Sequence, residues 1–178
     1  MPGDNEVLSI RQLRKALTVV RHAKNPTYRL SMGEVKEEVN NAIDTLGLKD
    51  TDILLLEDKE GRELYFDLLK TFVKSGDRRW WWEDFKHESS SIDHFEHPLI
   101  HLENFIPDLD NHVWFMVEDD QEDYYPIYDC SPKVIGNILN ECFGFEYYII
   151  SKDKKWLICE NHHSRLIGLG NLPNFANT

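Results

Sequence analysis

The sequence predicts an α+β fold: N-terminal helices, then a mostly antiparallel sheet of four or five strands with a helix packed on one face. Three observations predict it. Apolar residues in the first 76 positions recur every three or four residues, the period of a helix face. From about residue 112 the period shortens to two, that of a strand. A serine–proline helix start at Ser131-Pro132 then interrupts the strands, giving the order β-β-α-β-β-β. A chain of 178 residues suits a single domain. Residues 1–76 form its mainly helical part, 77–170 its sheet-containing part and 171–178 a frayed tail.

Each element has its own signal. Ile10, Leu13, Leu17 and Val20 share one helical face, and Pro26 ends that helix. Ser31-x-x-Glu34 is a capping box that opens a second helix. Val35, Val39, Ala42, Ile43 and Leu46 form its stripe, with Gly47 as its C-terminal stop. Ile53 to Leu56 reads as a strand or the start of a helix. A third helix is expected from about Arg62 to Lys74, with Tyr65, Leu68, Leu69, Phe72 and Val73 facing inward. Strands are expected at 112–118 and 124–129, joined by the acidic loop Asp119 to Asp123 as a hairpin. After the helix at 132–142 come strands at 146–151, 156–160 and 166–169.

Charge is distributed unevenly. The 46 residues from His87 to Pro132 contain no lysine or arginine and hold twelve carboxylates. The rest of the chain has 20 acids and 20 bases, so this segment carries the whole net charge of −12. Such a run is ordinarily a solvated face. Its concentration in one place suggests a surface for a cationic partner. Phe105, Val113, Trp114, Phe115 and Ile127 within it argue against a disordered acidic tail.

Composition narrows the function further. An acidic chain does not suit nucleic acid, which needs a basic face. No apolar run reaches the roughly 18 residues of a membrane span, and the N-terminus lacks the pattern of a signal peptide. Cys130, Cys142 and Cys159 are odd in number and widely spaced, which suits reduced thiols and a cytoplasmic location.

Three groups of residues could carry chemistry. His94, His97 and His101 lie at helical spacing within the segment His87 to His112, with Glu88, Asp93 and Glu96 nearby. They could hold a divalent metal in a metal-dependent enzyme, but Pro98 interrupts the helix that would align them. No standard ligand spacing is present, so neither metal nor cofactor is expected. Trp80, Trp81 and Trp82 cannot all face one side of an element, so at least one should lie near the surface and serve as a binding anchor. Cys159-Glu160-Asn161-His162-His163 holds a thiol and an imidazole, as a nucleophile and base would. Strand alternation points Cys159 and Glu160 to opposite faces, which favours a buried cysteine followed by a histidine turn.

The blocks Trp80–Phe85, Val113–Asp119, Phe145–Lys152 and Trp156–His163, with Ile167-Gly168, resemble a family of small bacterial proteins of unknown function. Small acidic α+β proteins of this kind are similar to immunity proteins of toxin systems, broadly those of the SUKH superfamily. The resemblance covers roughly residues 78–170 and implies no catalytic residue. Charge and resemblance together predict a cytoplasmic, non-enzymatic protein-binding module, an immunity-like inhibitor of a basic toxin. A nuclease toxin must be cationic where it holds phosphate, so an acidic inhibitor would be steered onto it. The expected contact residues are Asp108, Asp110, Glu118, Asp119, Asp120, Glu122, Asp123, Trp80, Trp81 and Trp82. The alternatives are the metal-dependent enzyme and a structural interaction module with an unrelated partner.

Overall fold

Hydrophobic strands buried on both sides dictate the architecture. Tyr147–Ser151, Leu157–Glu160 and Leu166–Leu169 are buried at every position. Near-continuous apolar runs of this kind belong to a sheet covered on both faces. The structure, a computed structural model, describes residues 35–76, 79–92 and 98–175. The expected helix ending at Pro26 and the capping box Ser31–Glu34 lie outside these residues.

The first described helix, α1 (Val35–Leu46), keeps the expected stripe, and Gly47 closes it at φ 63°. That left-handed turn suits glycine. Next come β1 (Ile53–Leu55) and α2 (Asp58–Phe72), the latter starting earlier and ending sooner than its apolar period predicts. Asp58 and Glu60 favour the earlier start, because carboxylates stabilise a helix N-terminus. The helix stops where Val73 turns to an extended backbone and bridges Phe85. A short 3-10 turn (Trp81–Glu83) leads to β2 (Ser89–Ile92), and a second (Pro98–Phe105) leads to β3 (Val113–Val117). Then follow β4 (Ile127–Cys130), α3 (Pro132–Glu141), β5 (Tyr147–Ser151), β6 (Leu157–Glu160) and β7 (Leu166–Leu169).

The strands form one antiparallel sheet of seven, in the order β1-β4-β3-β5-β6-β7-β2. Four or five was therefore an undercount. Residues 112–169 do supply five strands, as expected, but β1 and β2 join at the two edges. Ile53 to Leu56, read as a strand or the start of a helix, supplies the edge strand β1.

Helices also cover both faces rather than one. On the first face α1, α3 and the second 3-10 turn pack over Val113, Phe115, Val117, Tyr128, Ile149, Ile158 and Leu166. On the second face α2 and Trp81 pack over Met116, Ile127, Tyr148, Ile150, Leu157, Cys159 and Ile167. Among the described residues no helix is long and apolar enough to cross a membrane. The three cysteines are buried and unbridged.

The tryptophan triplet is divided between core and surface. Trp81 is fully buried against Tyr65, Tyr125 and Tyr148, whereas its neighbour Trp80 is 48% exposed. Trp81→Ala should therefore cost about 3–5 kcal/mol, the usual loss for a large buried ring. Trp80→Ala should cost less than about 1 kcal/mol. Urea unfolding of both variants checks this, and equal losses would contradict the division.

Candidate functional site

Antiparallel register decides which loops meet at each end of the sheet. Val117 pairs with Tyr147, Tyr147 with Glu160, and Glu160 with Leu166. The β3–β4 turn, the connection into β5 and the β6–β7 turn therefore gather at one end. They bring Glu118, Asp119, Asp120, Glu122, Asp123, Glu146 and Glu160 together there. Asp108 and Asp110 precede β3 and lie at the opposite end. Five residues of β3, at about 3.4 Å each, separate the two groups by roughly 17 Å.

Several of the expected contact carboxylates are engaged in the fold. Asp119, only 2% exposed, accepts hydrogen bonds from the backbone N–H of Lys36 at 3.0 Å and Gln121 at 3.0 Å. The first of these supplies α1 with a cap from 83 residues away. Glu122 pairs with the Lys36 ammonium at 2.8 Å. Asp108 closes a local turn onto Asp110 and Asn111, and Asp110 meets Lys133 at 2.7 Å. Asp120 and Asp123 are exposed. Of the tryptophans, Trp80 is exposed, Trp82 half-buried and Trp81 in the core.

The register brings together a further pair. The Glu118 N–H donates to the Glu146 carbonyl at 2.9 Å, which extends the β3–β5 ladder one residue beyond its strands. Residues directly opposite in a ladder share a face, about 5.5 Å apart at a hydrogen-bonded pair. Glu118 and Glu146 are thus held side by side on the second face. The Glu146 carboxylate accepts from the indole N–H of Trp82 at 3.1 Å and from the backbone N–H of His162 at 2.9 Å. It also contacts His162 Nδ1. An ionised carboxylate only accepts, so Nδ1 carries the proton of that contact.

Aromatic rings surround this pair. His162 lies 4.0 Å from His163 and 5.5 Å from Trp82, centroid to centroid. Trp80 stands 6.5 Å from His162, its backbone in the left-handed region at φ 50°. That conformation is uncommon for a bulky residue and turns Trp80 outward while Trp81 enters the core. Tyr125 and Tyr148, both buried, complete the inner wall.

Burial is the main reason the Glu118 carboxyl is pushed up to about 8, followed by its hydrogen bond with Glu146 and the Glu146 charge. The Tyr125 hydroxyl pulls in the other direction. Glu118 is therefore a neutral acid beside a carboxylate at pH 7, since two carboxyls in contact do not both ionise cheaply.

The other candidate groups take structural places. Cys159 is fully buried, and burial pushes its thiol well above the usual range, which leaves little thiolate for nucleophilic attack. Glu160 lies on the first face and accepts from the Tyr147 hydroxyl at 2.7 Å. Asn161 accepts from the backbone N–H groups of His163 and Arg165 at 3.1 Å each and shapes the β6–β7 turn. His112 contacts Asp129 at 2.6 Å, and Lys152 meets the same carboxylate at 2.9 Å while lying over the Trp114 ring. His94 and His97 lie outside the described residues, and His87 is exposed. Among the described residues no group of three or more His, Cys, Asp or Glu is arranged to hold a metal ion.

Glu146 and His162 were absent from the expected contact set. An acid directly before the apolar run Tyr147–Ile150 was the available signal. Its partner could not be read, because β4 and α3 separate β3 from β5 in the chain.

Residues 31–176 match the model of DUF6756, a family of unknown function. The chain belongs to this family. No curated protein and no solved structure is significantly similar to it. Nothing found links DUF6756 to SUKH or other immunity proteins. The match covers every described element of this DUF6756 protein, including the Glu118–Glu146 pair and the tryptophan triplet.

The raised Glu118 carboxyl has a consequence for stability. A group whose folded value exceeds its unfolded one stabilises fully at low pH and loses that contribution as pH rises through the folded value. The protein should lose stability between about pH 4.5 and about pH 8 relative to Glu118→Gln, which cannot ionise. After allowance for solvent screening, the difference should be on the order of 1–2 kcal/mol. Urea midpoints of both proteins at about pH 5 and about pH 9 give the comparison; parallel profiles would refute it.

Proposed function

We propose that this protein is a non-enzymatic binding module that takes a basic protein partner at the acidic end of its sheet. The observation that carries this reading is the placement of Trp80. A large ring, 48% exposed, stands beside His162 at the end where the β3–β4 turn, Glu146 and Glu160 gather. Exposed tryptophan with carboxylates around it provides buried area at the centre of a contact and charge at its rim. The contact set is Trp80 and the half-buried Trp82 with Asp120, Glu122 and Asp123. Trp81 and Asp119 support it from within, and Asp108 and Asp110 stand apart at the far end.

The resemblance to immunity proteins makes a cytoplasmic role against a basic toxin domain the first form of this reading to test. A nuclease toxin suits it best, because its phosphate-binding surface must be cationic. Acidic rim groups would speed the encounter, and Trp80 would slow separation.

The partner is to be captured from the source cells with the full chain and then purified. Stopped-flow association should slow as salt is raised, because screening shortens to about 8 Å near physiological ionic strength. Asp120→Asn with Asp123→Asn should lower the association rate and leave dissociation nearly unchanged. Trp80→Ala should instead speed dissociation, at a cost on the order of 2 kcal/mol. Association indifferent both to salt and to the two Asn substitutions would leave these carboxylates as a solvated face and refute the reading.

A further inference from the structure

We propose that the Glu118–Glu146 pair receives one guanidinium of the basic partner, and that the pair gives up its shared proton when that side chain docks. This rests on the basic-partner reading and names the group recognised. Three observations carry it. The ladder bond from Glu118 N–H to the Glu146 carbonyl fixes the two backbones, so both side chains leave the sheet side by side on one face. Glu118 Oε2 is buried without a hydrogen-bond partner among the described residues, as is the hydroxyl of Tyr148, which is fully buried and sits within the field of both carboxyls. Buried polar atoms are ordinarily satisfied; here the carboxyl oxygen can accept and the phenol can donate. Finally, Trp82 and His162 touch Glu146, and the rings of Trp80 and His163 lie beside them, an aromatic surround that suits a flat cation.

Guanidinium fits these features better than ammonium. It is planar, stacks on aromatic faces and carries five donors in a fixed fork. The groups facing Glu118 are Asp120 and Tyr125 from the β3–β4 turn and Glu146 and Tyr148 from β5. Cys159 from β6, and His162 and Trp82 around Glu146, complete the set. In the free protein the proton on Glu118 offsets the charge of one carboxylate. On docking, the O–H bond of Glu118 breaks, the proton passes to solvent, and the guanidinium takes over as counter-charge. Local charge is the same before and after.

The test uses the full chain and a blocked arginine-rich peptide, with lysine-rich and glutamine-rich peptides of equal length as controls. Calorimetry near pH 7 in two buffers of different ionisation enthalpy counts protons, and tryptophan fluorescence follows binding. The arginine peptide should release about one proton per site filled. Glu118→Gln mimics the protonated acid and keeps its hydrogen bond to Glu146. It should release none and bind at least about threefold more weakly. Trp80→Ala, at an exposed position, should bind about tenfold more weakly and still release the proton. Equal proton counts for the parent and Glu118→Gln would overturn the inference. So would equal binding and release with the lysine peptide, which would remove the case for guanidinium. Salt-sensitive binding of the arginine peptide without proton release would overturn it while leaving the basic-partner reading standing. Failure of every basic peptide to bind would overturn both.

Discussion

The register of β3 against β5 is the constraint on which the rest depends. These strands lie at the centre of the sheet, and helical layers cover both faces. A slip of one residue would turn Phe115, Val117, Tyr147 and Ile149 from one core into the other. Neither core has room for such an exchange, because interiors are packed to crystal-like density. With Val117 held opposite Tyr147, the next residues along, Glu118 and Glu146, must also face each other. Hydrophobic burial in the strands thus imposes an electrostatic arrangement just beyond them. The same register puts Glu160 across from Tyr147 on the first face, where a hydroxyl satisfies it. One acid is therefore satisfied by a hydrogen bond, and another carries a proton.

Charge in the lysine-free segment is divided among different tasks. Asp119 caps α1, a contact of the kind worth about 1 kcal/mol. It ties the first helical layer to the β3–β4 turn. Asp129 holds His112 and Lys152 at the far end, where burial lowers the Lys152 ammonium although Asp129 opposes the shift. Lys133–Asp110 is an exposed pair of the kind that contributes little. These engagements explain how a segment with twelve carboxylates folds despite its density of like charge. Asp120 and Asp123 are exposed at the end where Trp80 stands.

Local signals made part of this fold legible. Ser131-Pro132 started α3 where expected, and the period-two runs marked β3 through β7 to within a few residues. The stripe from Val35 to Leu46 marked α1. By contrast, β1 has three residues and β2 reads Ser-Ser-Ser-Ile, so neither offers an alternation to detect. Both are edge strands whose structure comes from pairing with β4 and β7. The second helical layer was hidden for another reason. Strands buried on both faces lose the polar alternation that would have shown which side was covered. As for the candidate site, one exposed tryptophan was predictable because three adjacent rings cannot share a face. The Glu118–Glu146 contact was not, because it joins residues across β4 and α3 and only tertiary pairing creates it.

Two costly features coincide at this end of the molecule. Trp80 adopts a left-handed backbone that disfavours a bulky side chain, and Glu118 is held against another carboxyl. Glutamine at 118 would preserve the ladder and remove the repulsion. Glycine at 80 would relieve the backbone and still let Trp81 enter the core. Neither feature is required by the hydrophobic layers, since Trp80 contributes half its surface to solvent and Glu118 lies beyond the last residue of β3. Strain and perturbed acids that folding does not require concentrate where a protein meets its ligand. The two also complement each other chemically, one supplying an aromatic face and the other a latent negative charge. A cation is the ligand that would use both at once.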